Sequence, residues 1–87
     1  MFGPAQVADA DSAGCVTARE FRRADDGMTR ARVERIFDTH GRVVRKKVHR
    51  LKVRYKGCGG NGAYAKVTYR KRDDGPWRYY SGFGYLN

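Results

Sequence analysis

From Val43 onward apolar and polar side chains take alternate positions, and this two-residue period is what most limits the fold. Leu51, Val53 and Tyr55 alternate with Lys52, Arg54 and Lys56. Ala63, Ala65, Val67 and Tyr69 alternate with Tyr64, Lys66, Thr68 and Arg70, and Trp77, Tyr79, Ser81 and Phe83 with Arg78, Tyr80 and Gly82. Successive side chains of a strand point to opposite faces, so each segment predicts a half-buried strand. Between them lie Gly57-Cys58-Gly59-Gly60-Asn61-Gly62 and Asp73-Asp74-Gly75-Pro76, both strong turn clusters. Such connections predict an antiparallel meander of three strands, or four if Arg42 to Lys47 joins despite its poor alternation.

Ahead of the sheet the period is helical. Thr17-Ala18-Arg19-Glu20 fits a capping box, in which the Thr hydroxyl takes the amide three residues on and Glu20 reaches back. Val16, Phe21 and Ala24 are its candidate buried residues, and Gly27 of Asp25-Asp26-Gly27 supplies a left-handed stop. Thr29 caps a second helix, where Val33, Ile36 and Phe37 form one apolar stripe and Arg30, Arg32 and Arg35 face elsewhere. Gly41 is read as its stop. Gly27-Met28-Thr29 is scaffold in this reading, with Met28 filling a gap in the core. The expected fold is α+β: two short N-terminal helices, a helix-loop-helix, packed on one face of a three- or four-stranded antiparallel sheet.

Length and charge add to this. The chain has 87 residues, one domain that gains from a covalent staple. Residues 1–14, rich in Ala and Asp, are expected to be disordered, leaving a single domain at 15–87. They lack a charged stretch followed by an apolar one, so they read as a mature N-terminus or linker and no signal peptide. No apolar run approaches the length of a bilayer span. The net charge of +10 is lopsided: residues 1–41 carry six Lys/Arg against seven Asp/Glu, residues 42–87 thirteen against two. Such a field attracts polyanions and acidic protein surfaces. Cys15 and Cys58 could form a bridge, stabilising by roughly 4 kcal/mol on the chain-entropy argument, or remain two thiols.

Several motifs resemble a known family. Phe21, Gly27-Met28-Thr29-Arg30, Val33 and Ile36-Phe37 look like the helix-loop-helix signature of β-lactamase inhibitory protein repeats, and also resemble the small lipoprotein domains of outer-membrane assembly. Small secreted actinobacterial proteins related to these are similar at Cys15-Val16-Thr17, Phe21, Gly27-Met28-Thr29, Ile36-Phe37, Thr39-His40-Gly41 and Tyr55-Lys56-Gly57-Cys58. The resemblance covers residues 15 to 58 by motif and the later strands by pattern. It implies two helices on an antiparallel sheet, a Cys15–Cys58 disulfide and a secreted protein. The matching residues are scaffold, so no inhibitory residue is carried across.

Chemistry-bearing clusters are sparse. His40 falls at a helix end and His49 in a basic run, neither beside a carboxylate or nucleophile in a recognised arrangement. Cys15, His40, His49 and Cys58 lack metal-ligand spacing, and the Gly57–Gly62 loop lacks the Lys-Ser/Thr of a phosphate cradle. Asp73 and Asp74 read as a turn. No enzyme, cofactor or metal is expected. The candidate surface is the sheet face carrying Lys52, Arg54, Lys56, Tyr64, Lys66, Arg70, Arg78 and Tyr80, with Trp77 and Tyr79 in the core. Cations among aromatic rings suit a secreted, non-enzymatic module that docks an acidic protein, as an inhibitor or envelope component. The same residues suit single-stranded nucleic acid or another polyanion, as in a phage or mobile-element protein, or plain solvation. Neither the partner's identity nor the oligomeric state is legible.

Overall fold

A computed structural model describes residues 14–86. Apart from Gly14, the segment expected to be disordered lies outside the described residues. Two short helices, α1 (Ala18–Arg23) and α2 (Arg30–Phe37), precede four strands, β1 (Arg42–Lys46), β2 (Arg50–Lys56), β3 (Tyr64–Arg70) and β4 (Arg78–Tyr85). The strands form one antiparallel sheet in the order β1-β2-β3-β4, so the fold is α+β.

The capping box holds both ends of its bargain: Glu20 N–H donates to Thr17 Oγ1 at 3.1 Å and Thr17 N–H to Glu20 Oε1 at 3.0 Å. Thr29 Oγ1 likewise accepts from Arg32 N–H at the start of α2. Both expected glycine stops are corrected. Helix α1 already ends at Arg23, with Ala24 extended, and Gly27 sits at φ 92° in the following turn. Helix α2 ends on Asp38, a short polar residue that tolerates the left-handed conformation at φ 54°. Gly41 serves another purpose, because a Cβ there would strike Val53 Cγ1 and come within 2.6 Å of the Tyr55 ring.

Alternation in the central strands separates a core side from an open side. Leu51, Val53 and Tyr55 of β2 and Ala65, Val67 and Tyr69 of β3 are buried in one cluster with Val16, Val33 and Phe37. Phe37 meets Tyr55 edge-on, with ring centroids 5.1 Å apart, an arrangement the ring quadrupoles favour. Phe21, Ala24, Met28, Ile36, Trp77 and Tyr79 are half-buried against this cluster.

Strand β4 does not keep the simple alternation expected of it. A bulge opposite Thr68 and Tyr69 turns the strand over partway, as an inserted residue must. Tyr79 pairs with core-side Tyr69, whereas Ser81 pairs with Thr68, Phe83 with Lys66 and Tyr85 with Tyr64, all on the open side. Gly82 and Gly84 take the core-side positions, and a Cβ on either would lie 3.2 Å from the Phe21 ring. A second bulge at Val43–Arg45 explains the poor alternation of β1, the residue Val44 being the insertion.

Cys15 and Cys58 form a disulfide that closes 43 residues. Beside it Val16 N–H donates to the Lys56 carbonyl at 2.8 Å and Cys58 N–H to the Val16 carbonyl at 2.9 Å, a short parallel bridge. No helix among the described residues is long and apolar enough to cross a membrane.

Candidate binding surface

Register places the open-side residues in four ranks across the sheet. Lys56, Tyr64 and Tyr85 make the first, and Arg42, Arg54, Lys66 and Phe83 the second. Arg45, Lys52, Thr68 and Ser81 make the third, and Arg50, Arg70 and Arg78 the fourth. Nine of these fourteen residues are Lys or Arg, and none among the described residues of the four ranks is acidic. Like charges directly opposite one another destabilise a strand pair. The second and fourth ranks nevertheless set three cations in a row, and the third sets Arg45 beside Lys52.

Aromatic rings gather along the β3–β4 side of these ranks. Tyr64 lies 6.2 Å from Phe83 and 6.3 Å from Tyr85 between ring centroids. Phe83 and Tyr85 are 61% and 57% exposed, unusual for such apolar area in a small domain. The Arg54 guanidinium sits 4.1 Å above the Tyr64 ring and that of Arg70 4.4 Å above Tyr80. Each pair combines a cation with an apolar plate, holding the guanidinium at a set position.

Among the residues singled out from sequence, Lys52, Arg54 and Lys56 project from β2 between the buried Leu51, Val53 and Tyr55. Tyr64, Lys66 and Arg70 lie beside them through register, Tyr64 half-buried and the other two exposed. Arg78 follows on β4, but its Nη1 also donates to the Gly27 carbonyl at 2.9 Å, bracing the turn between the helices. Tyr80, at the bulge, is 48% exposed. Missed were Arg42, Arg45, Arg50, Phe83 and Tyr85. The signal for the last two was the inward Gly82 and Gly84, which leave their neighbours as the side chains facing out.

A polar network running from the buried Tyr55 and Tyr69 to the half-buried Glu34 and Arg30 was also missed. Tyr55 Oη donates to Glu34 Oε2 at 2.8 Å, and the same oxygen accepts from Arg30 Nε at 2.8 Å. Tyr69 Oη lies 2.6 Å from Tyr55 Oη. Because the Tyr55 proton is committed to Glu34, Tyr69 is the donor to Tyr55. His40 Nδ1 stands 3.4 Å from Glu34 Oε1, an exposed contact with a carboxylate six residues away that no motif signalled. Burial alone would raise the Glu34 pKa, but the bonds from Arg30 and Tyr55 outweigh it and hold the carboxyl below its ordinary value. Burial raises Tyr55 and Tyr69 well above the usual phenol value, which keeps both hydroxyls protonated. The network ties α2 to β2 and β3 through Tyr55 and Tyr69, which lie on the buried side of their strands.

The other histidine, His49, lies in the β1–β2 turn with its Nδ1 3.1 Å from the Lys71 carbonyl. A comparison with known proteins finds no matching family model, no matching curated protein and no matching solved structure.

Proposed function

We propose that this chain is a secreted, non-enzymatic binding module that docks an acidic protein on its open sheet side, as an inhibitor or envelope component. In this reading the two helices shield the opposite side of the sheet, as in the β-lactamase inhibitory protein repeats that residues 15 to 58 resemble.

The observation that carries the reading is the stacking of like charge across strands. Arg42–Arg54–Lys66 and Arg50–Arg70–Arg78 are arrangements that a sheet built only for stability would avoid. An acidic partner removes that repulsion on binding, and the field speeds its approach. The exposed Phe83 and Tyr85 supply the apolar anchors that such interfaces concentrate. Protein is favoured over single-stranded nucleic acid because Tyr64 and Tyr80 already carry a guanidinium on one ring face, where a base would stack. The disulfide supports an oxidising, extracytoplasmic setting.

The test is affinity capture from the native source with the oxidised domain, alongside a Lys52→Ser, Arg54→Ser, Lys56→Ser variant. The reading expects an identified protein, retained after nuclease treatment, whose binding is lost with the variant and with neutralisation of its own acidic patch. Retention of nucleic acid alone, or undiminished binding by a folded variant, refutes it.

A further inference from the structure

At one end of the sheet, the three-residue turn between β1 and β2 and the adjoining strand ends border an open hollow of about 470 Å³. Arg45, Lys47, His49, Arg50, Lys52 and Arg70 line it, with Val48 completing the wall. We propose that this hollow is a binding site for a tetrahedral oxyanion, the phosphate group of a free ion or of an ester.

Three features separate it from the rest of the basic surface. The first is convergence. Arg45 stands opposite Lys52, and Arg50 opposite Arg70, so two adjacent cross-strand pairs aim like charges into the same space. Lys47 joins them from the turn, whose backbone closes through Lys47 N–H to the Arg50 carbonyl at 2.7 Å. The second is the absence of relief. Among the described residues, the side chains of Arg45, Lys47, Arg50 and Lys52 have no hydrogen-bond or ion-pair partner, and no acid lines the hollow. The third is a fixed rim. A carbonyl only accepts, so His49 Nδ1 donates to the Lys71 carbonyl and pins the turn to the chain just beyond β3. Arg70 is held in turn by its contact with the Tyr80 ring.

The geometry selects the class of anion. One carboxylate presents two coplanar oxygens, which a single guanidinium satisfies side-on. Here cations from β1, the turn, β2 and β3 line one hollow, more donors than the two oxygens of a single carboxylate can satisfy. A tetrahedral dianion offers more acceptor oxygens and carries enough charge to compensate several cations at once. The site shares Lys52 and Arg70 with the docking surface but needs no protein partner, so either proposal can fail while the other stands.

The experiment is a titration of the oxidised, isotope-labelled chain with inorganic phosphate at pH 7.5 and constant ionic strength, followed by amide and guanidinium NMR shifts. Sulfate, acetate and phenyl phosphate are titrated in parallel. Phosphate and sulfate should give saturable shifts centred on Arg45, Lys47, Arg50 and Arg70, with acetate at least roughly tenfold weaker. Comparable binding of phenyl phosphate assigns the site to an esterified group, and its exclusion to the free ion. Arg50→Ser should weaken phosphate roughly tenfold, the loss of one charge-assisted contact, and Lys47→Ser provides a second variant in the turn. Lys66→Ser makes the same change in net charge outside the hollow and should leave affinity within about twofold. Non-saturating shifts, an equal response to acetate, or equal weakening by Lys66→Ser would overturn the proposal.

Discussion

Removing the Tyr55 hydroxyl should cost far more than removing that of Tyr69, although the two oxygens touch and both rings are fully buried. Tyr55→Phe deletes a bond to the charged Glu34 carboxylate, worth about 1.5–3 kcal/mol. It also leaves the Tyr69 hydroxyl in the core with no acceptor, a further penalty of about 1–3 kcal/mol. The expected loss is about 3–5 kcal/mol. Tyr69→Phe removes only the outermost donor of the chain, and Tyr55 still reaches Glu34, so about 1 kcal/mol is expected. The double variant strands no hydroxyl, and Glu34 keeps its bond from Arg30, so its loss should be about 2 kcal/mol, less than that of Tyr55→Phe alone. Urea unfolding of the oxidised proteins at pH 7 measures all three, with unchanged m-values confirming a common unfolded state. Equal losses for the two single variants, or losses that simply add in the double, would refute the direction of donation deduced for this network.

The disulfide should contribute up to about 4 kcal/mol through the 43 residues it closes, so a Cys15→Ser, Cys58→Ser variant should melt well below the wild type, and a melting temperature indifferent to reductant would contradict this. The depressed Glu34 pKa gives a pH dependence of known sign. Its contribution is complete above the ordinary carboxylate value of about 4.3 and is lost as pH falls through the lower folded value. Glu34→Gln should therefore lower stability at pH 7 and flatten its acid limb, as followed by denaturant titrations from pH 7 to 2; parallel curves for the two proteins would dismiss the linkage.

The central strands were legible because β2 and β3 have a partner on each side and bury every second residue without interruption. The same simple alternation failed at the edges, where bulges intervene. In β1 the poor alternation over Arg42 to Lys47 looked like a broken pattern, yet it marks the single inserted residue Val44. In β4 the run Trp77, Tyr79, Ser81, Phe83 gave no local sign that its phase reverses near Tyr80, where the bulge leaves Gly82 and Gly84 beside the Phe21 ring. Helix starts were readable from Thr17 and Thr29, whose bonds are local. Their stops were not, since Ala24 in extended backbone and Asp38 in the left-handed conformation end the helices where glycine was the expected signal. The candidate surface was half visible. Cations on β2 and β3 followed from alternation, with Arg50 added because β2 starts one residue earlier than expected; Arg42 and Arg45 joined them only through register, and Phe83 and Tyr85 only through the bulge. Glu34, Tyr55 and Tyr69 are too far apart in the chain for any motif to connect them.

Strand β1 borders the sheet and is exposed along its whole length. Unpaired borders invite further strands, and the obvious newcomer in concentrated protein is another molecule of the same kind. Two such borders laid together would press the cations Arg42, Arg45 and Lys46 against the same set on the second copy. The positive rim thus works as a built-in guard against ribbon-like self-association, while a negatively charged visitor meets no such obstacle.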